Sequence, residues 1–328
     1  MTSPTPTDDK AGAAEAWRRA RAAALASGLT VRELAEPAEH RAAEALLASV
    51  WSVRPEQAPV PGDVMRSLSY TGGYVAGAFA EDELIGAAVG FLATGAGASP
   101  LRQLHSHVAG VIPSAQGRHV GSALKLHQRA WALERGLGTI TWTFDPLVRR
   151  NAFFNLTKLG AGATTYLTDF YGEMRDGINE GQGSDRLLVR WDLCSEKAAE
   201  AAAGRVAEPV PGAVGAIVEK GRVLLGIGPE GEPRPGSDAG VGLGPGSRGG
   251  PAGDDSGDGS GGRREPVACA VPGDIEALRR SDPELALAWR SAIRRTLAPA
   301  MAGGMRIAGF ARSGWYVLSY GDEEEVGG

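Results

Sequence analysis

Between Thr30 and Leu193 the apolar positions switch between a period near 2 and one near 3.6. Thr30–Leu34 reads as a short strand. Glu39–Val50 carries Ala43, Leu46, Leu47 and Val50 at spacings of three and four, the mark of a helix. Three strand-like runs follow: Gly73–Phe79, Leu84–Leu92 and Gln103–Ile112. The turn at 80–83 and a Gly/Ala/Ser loop at 94–99 divide them. A helix is predicted from His119 to Arg135, ending at Gly136, where a residue without Cβ suits a helix C-terminus. Thr139–Phe144 is β-branched and aromatic, hence a strand, and Arg149–Leu159 is a helix that stops at Gly160. Ala163–Phe170 and Arg186–Leu193 supply the last strands. The order β-α-(α)-β-β-β-α-β-α-β-β predicts an α/β (α+β) class, with a mixed central sheet and flanking helices.

The flanks are patterned differently. Residues 1–12 are polar and read as disordered. The alanine-rich 13–27, with Arg18, Arg19 and Arg21, reads as a weakly packed helix, so that 1–29 form an N-terminal extension to a domain at 30–194. Within 195–227, a linker, Val214–Val218 and Arg222–Leu225 suggest a hairpin joined at Lys220-Gly221. In 228–264, fourteen of thirty-seven residues are glycine, too few apolar groups remain to offset ordering entropy, and a disordered insertion is expected. Its Gly242-x-Gly244 has no strand before it and no helix after it, so it is not a dinucleotide loop. A small α+β C-terminal module is expected at 265–321. Its helix starts at Asp282-Pro283, with one face marked by Leu285, Trp289, Ile293 and Leu297, and Met305–Ala311 and Trp315–Tyr320 form a closing hairpin. Residues 322–328 are an acidic tail.

Composition narrows the function classes. The chain has 328 residues, 43% hydrophobic and 22% charged, which suits an ordinary globular core. A net charge of −5 disfavours nucleic acid as principal partner while leaving room for a small anion at one positive loop. Two cysteines, Cys194 and Cys269, without CxxC spacing or clustered histidines, indicate neither a disulfide framework nor a metal site. No signal-peptide run and no membrane-length apolar stretch occurs, so the chain reads as cytoplasmic, with no membrane partner.

The segment richest in chemical meaning runs from Val108 to Leu124, V-A-G-V-I-P-S-A-Q-G-R-H-V-G-S-A-L. A strand passes through Pro113 into a turn and directly into an amphipathic helix. The first turn of a helix leaves N–H groups without partners and carries partial positive charge. Gly117 and Gly121 allow close backbone approach, and Arg118 adds a cation, a combination suited to gripping phosphate oxygens. A plain strand-to-helix turn is the alternative.

V-I-P-x-x-Q-G-x-x-V-G-x-x-L resembles the acyl-coenzyme A loop, Q/R-x-x-G-x-G/A, of the Gcn5-related N-acetyltransferase (GNAT) superfamily. Gln116 and Gly121 match its first and last positions. The strand meander, Thr139–Phe144 and the helix before Gly160 fall where that fold needs them, and the resemblance spans about Thr30 to Leu193. His105-Ser106-His107, Trp142–Leu147, Asn151–Leu156, Lys158–Ala161 and Asp185-Arg186 are similar to a divergent bacterial branch that carries a C-terminal extension. The resemblance implies the GNAT fold and an acyl-CoA co-substrate (acetyl-CoA or succinyl-CoA), without a metal. It further implies N-acyl transfer to a small-molecule amine such as an amino acid, with a homodimer left open. Two departures stand out. The loop's middle glycine is His119, and the family's frequent general-acid tyrosine falls at Leu156, which cannot donate a proton. These motivate two alternatives: a CoA-thioester enzyme of another type (a decarboxylase or O-acyltransferase), or a non-catalytic CoA-binding regulator.

In the family fold the strand before the loop splays from its neighbour and the thioester lies in the gap. Here alternation puts His105, His107, Ala109 and Val111 on one face of that strand and Leu104, Ser106, Val108 and Gly110 on the other. A histidine beside the thioester titrates near neutrality and suits the base role, directly or through water. His107, nearer the expected thioester, is preferred over His105, the alternative being a core or rim histidine satisfied by hydrogen bonds. Backbone N–H groups around Val108–Gly110 are the oxyanion donors, with Val111 and Gln116 to Ser122, Val120 included, lining the cofactor. Asp145 could orient a histidine, bind the amine or cap the following turn. Asn151 and Asn155, on one helix face at spacing four, could reach the pantetheine amides, although simple helix-start polarity explains Asn151 equally. Tyr171 and Tyr166 are substitute acids. Arg186, with Arg190 nearby, could hold an acceptor carboxylate, or pair at the surface with Asp185 or Asp169.

Overall fold

The computed structural model describes residues 6–94, 102–172, 183–205, 213–238 and 265–320. They divide into two compact units, one drawn from 6–143 and 190–205, the other from 144–172, 183–189 and 213–320.

The first unit opens with α1 (Pro6–Ala26). The helix thus already covers part of the segment expected to be disordered, and it packs closely. Ala13, Ala16, Ala20 and Ala24 are buried, a stripe at helical spacing, and Ala16 and Ala20 pack with Ala130. Methyl side chains let two helices approach closely, which composition alone under-rates. Trp17 fixes the contact by donating from Nε1 to Glu134 at 3.0 Å.

Next come β1 (Thr30–Glu33), α2 (Pro37–Val50), α3 (Gly62–Tyr70), β2 (Tyr74–Ala80), β3 (Glu83–Thr94), β4 (Arg102–Val111), α4 (Val120–Glu134) and β5 (Thr139–Phe144). Neighbouring strands run β1-β2-β3-β4-β5, antiparallel up to β4 and parallel between β4 and β5. Leu34, Leu46, Leu47, Met65, Val75, Val89 and Val108 form the core under α2 and α3. Burying one such side chain contributes about 2 kcal/mol. Opposite, α4 is buried nearly all round, because Ala130 meets α1 while Val120 and Leu124 lie close to Gly86 of β3.

In the second unit α5 (Arg149–Ala152) continues into a π-helical turn, Phe153–Lys158, and then β6 (Gly162–Leu167). β7 (Arg186–Asp192) is the neighbour of β6, and its residues from Arg190 onward are counted with the first unit, which also holds α6 (Glu196–Ala202). After α6 come α7 (Ala213–Glu219), β8 (Val223–Ile227), β9 (Pro233–Pro235), β10 (Val267–Ala270), α8 (Ile275–Ser281), α9 (Pro283–Ala302), β11 (Met305–Ala311) and β12 (Trp315–Tyr320). A separate five-stranded sheet has the order β11-β12-β10-β8-β9.

The closing hairpin β11–β12 and the Asp282-Pro283 helix start are as expected. Asp282 caps α9 by accepting from the Leu285 N–H at 3.0 Å. The earlier hairpin is not formed: Val214–Val218 lies in α7, and β8 instead pairs in parallel with β10. A five-residue apolar run fits either element, and here Val214 and Ile217, three apart, turn to Ala268 and Val317. Nor is all of 228–264 an unstructured insertion, since β9 lies within it. Residues 239–264, the loop at 95–101 and the acidic tail lie outside the described residues.

Candidate functional site

The candidate cofactor site is built in the first unit by β4, β5 and the mouth of α4. β4 is interrupted once. Val89 lies opposite Val108 and Gly90 opposite Ser106, which leaves His107 as the extra residue of a β-bulge. Burial still alternates along β4, but the faces do not. Ser106 meets Lys125 of α4, whereas Val108 joins the α2 core and Gly110 lies against Leu47 and Trp51. The expected common face for Leu104, Ser106, Val108 and Gly110 is therefore split, because one inserted residue reverses every later side chain. Bare Cα at Gly110 lets α2 come close: a Cβ there would stand 3.0 Å from Leu47.

β4 and β5 pair only at Leu104–Ile140 and His105–Thr141. Beyond that point, towards the loop, they part. The β5-facing edge of β4 from Ser106 onward has no paired strand among the described residues, so backbone groups of Val108 to Val111 border an open gap.

At the end of β4 a short 3-10 turn, Pro113–Ala115, leads to Gln116, Gly117 with φ +83° and His119 with φ +61°. His119 is the N-cap of α4 in the left-handed region. That explains why a loop of this kind favours glycine here; histidine accepts the conformation at some cost. The first helical bond runs from the Ala123 N–H to the His119 carbonyl at 3.0 Å. The N–H groups of Val120, Gly121 and Ser122 have no acceptor among the described residues. Gln116, Gly117, Arg118 and His119 are exposed around them. Three free amides, a helix dipole and Arg118 make this mouth fit for an anion with several oxygens.

His105 and His107 stand on one face of β4, ring centroids 6.5 Å apart, both against Phe91. The Nδ1 of His105 is 3.1 Å from the Thr141 hydroxyl. Desolvation lowers the pKa of both rings, and for His105 the charges of His107 and Lys125 lower it further. Both imidazoles are thus largely neutral at pH 7, the state a proton acceptor needs.

Sequence reading passed over Lys125. Its amine is buried between Ser106 Oγ at 2.8 Å, Gln128 Oε1 at 3.0 Å and the Trp142 ring, 4.0 Å from the centroid. Burial lowers its pKa to about 7. Nothing in the sequence singles it out: Lys125, His127, Gln128 and Arg129 read as the polar side of an amphipathic helix, and only the packing shows that all four are buried.

The remaining candidates belong to the second unit. The Asp145 carboxylate accepts from Arg279 at 2.6 Å, from Arg290 at 2.9 and 2.5 Å, and from the Leu147 N–H at 2.9 Å. Burial alone would raise its pKa, but the charges of Arg290 and Arg279 override this and hold it well below the usual carboxylate range. Of the roles open to Asp145, capping the following turn is thus realised, alongside a buried ion pair. Asn155 is buried and Asn151 partly so, on α5 and its π-helical continuation. Tyr166 donates to Asp185 at 2.6 Å; burial first, then that bond, raise its pKa far from neutrality. Tyr171 is exposed, beneath the Arg186 guanidinium at 5.3 Å. Arg186 is buried and donates to the Asp185 carbonyl at 2.9 Å, while the Asp185 carboxylate is gripped by Arg294 at 2.9 and 2.5 Å. Leu156 is buried.

Among the described residues no helix is long and apolar enough to cross a membrane, and no cluster of metal-ligating side chains occurs. No family model and no curated protein matches the chain. Solved structures do. A GNAT-family acetyltransferase from Streptococcus pneumoniae is 16% identical, with a TM-score of 0.39, over 49% of this chain and 97% of its own. The ribosomal-protein-S18-alanine N-acetyltransferase of Escherichia coli is 15% identical, with a TM-score of 0.39, over 51% and 95%. A candidate acetyltransferase of Salmonella typhimurium, solved with its cofactor acetyl-CoA, is 18% identical, with a TM-score of 0.40, over 52% and 95%.

Proposed function

We propose that the first unit binds an acyl-coenzyme A and passes its acyl group, acetyl or another short acyl such as succinyl, to the amine of a small molecule, with amino acids as the acceptor class. The observation that carries this reading is the conjunction of an open helix mouth with a strand gap. The amides of Val120, Gly121 and Ser122 lack acceptors at the end of β4 where β4 and β5 have already parted. Phosphate oxygens at the mouth would receive those N–H groups and Arg118, and the arm beyond them would lie along the unpaired edge of β4.

The chemistry then falls to β4. Attack of a neutral amine on the thioester carbonyl forms a C–N bond and places negative charge on the carbonyl oxygen, which the backbone amides of Val108–Gly110 would stabilise. His107, brought to the gap edge by the bulge and kept neutral by desolvation, takes the proton that the nitrogen must lose. The C–S bond breaks, and the thiolate takes up a proton from water or from the His107 imidazolium, which returns the base to its neutral form.

The test is release of free CoA thiol from acetyl- and succinyl-CoA, with and without a panel of amino acids and simple amines. Amine-dependent release is expected. Release independent of amine, or binding without turnover, contradicts transfer.

A further inference from the structure

Resting on that reading, we propose that Lys125, together with Ser106, selects acyl groups that end in a carboxylate. The last paired residues of β4 and β5 are His105 and Thr141; Ser106 and Trp142 are the next on each strand. Lys125 Nζ touches both, at 2.8 Å from Ser106 Oγ and 4.0 Å from the Trp142 ring centroid. Its amine therefore marks the closed end of the gap whose open end is the mouth of α4. Ser106 lies five residues before Val111, the end of β4, which is roughly 16 Å of strand. A ligand held by its phosphates at the mouth and threaded along the gap carries its far end towards Lys125.

This closed end is rich in donors and poor in acceptors. The partners of Lys125 are two neutral oxygens and a ring face, with no carboxylate among the described residues. Nearby on α4, Gln128 Nε2 is buried without a hydrogen-bond partner. Trp191, edge-on to Trp142, likewise has its Nε1 buried without one. A buried ammonium without a counter-anion is unfavourable to folding, and unmatched donors add to the cost. A carboxylate arriving on the acyl chain supplies Lys125 with that counter-anion, whereas a methyl group does not. Burial holds the pKa of Lys125 at about 7, so binding such an anion draws a proton onto the amine.

Calorimetric titration with succinyl-CoA and butyryl-CoA, whose acyl chains differ in a terminal carboxylate against a methyl, tests this. The wild type is expected to bind succinyl-CoA about tenfold or more tighter, in line with a charge-assisted hydrogen bond. Proton uptake should accompany succinyl-CoA only, measured at pH 8 in buffers of different ionisation heat. Lys125→Met should abolish both the preference and the uptake. Ser106→Ala, which leaves the charge in place, should narrow the preference and serves if the methionine variant does not fold. Equal affinity for the two esters in the wild type, or a preference that survives Lys125→Met, overturns the proposal while leaving the transferase reading intact. If neither ester nor free CoA binds, the underlying reading itself falls.

Discussion

Ser106 and Val108, two residues apart on one strand, meet opposite sides of the sheet: Ser106 is hydrogen-bonded to Lys125 of α4, and Val108 sits in the core under α2. The bulge at His107 makes this possible, and it presents the His107 imidazole where β4 and β5 separate. If that imidazole is the base, His107→Ala lowers turnover about 10²-fold or more while leaving CoA affinity near wild type. Steady-state rates set beside calorimetric CoA titration check this, and an unchanged turnover removes His107 from the role.

The loop offers a pair of opposed substitutions. Gly117 has φ +83° and no atom within 4 Å of the place a Cβ would occupy, so Gly117→Ala acts through backbone strain alone. A loss of about 1 kcal/mol is expected. His119→Gly relieves the same strain at φ +61° and should hold or raise stability. Urea midpoints compare the two, and a destabilised His119→Gly would show that the imidazole makes a stabilising contact of its own.

Lys125 gives a pH signature. Its pKa falls from 10.5 in the unfolded reference to about 7 in the fold, so between those values the unfolded chain binds more protons. Stability from this group therefore rises as pH increases from about 7 towards 10.5. Urea midpoints at pH 7 and pH 9.5 should diverge more in the wild type than in Lys125→Met. Identical pH slopes would contradict a buried amine.

In the second unit, Asp145 carries the charge that balances Arg279 and Arg290, all three buried. Asp145→Asn leaves two guanidiniums without their carboxylate, and a loss of about 3–5 kcal/mol is expected. Denaturant unfolding measures it, and a near-neutral variant would contradict the network.

Local pattern made most elements legible. Thr139–Phe144 and the closing hairpin match their expected bounds, because β-branched and aromatic runs framed by turns have few alternatives. Val214–Val218 went the other way since five apolar residues specify no period. The faces of β4 were misread because an inserted residue leaves no trace in the alternation of one strand; only the partner's register reveals it. Nor could local pattern pair Asp145 with Arg290, which lies 145 residues away. The motif marked Gln116–Ser122 as a turn opening a helix, which is what the chain forms there, whereas Lys125 sits among His127, Gln128 and Arg129, a polar run whose burial only the packing reveals.

The most direct measurement is calorimetric titration of the whole chain with free CoA, alongside Gly121→Glu, which sets a carboxylate among the amides of the helix mouth. The account predicts saturable binding by the wild type and its loss in the variant. No heat with the wild type, or equal affinity in Gly121→Glu, would contradict a phosphate site at the start of α4.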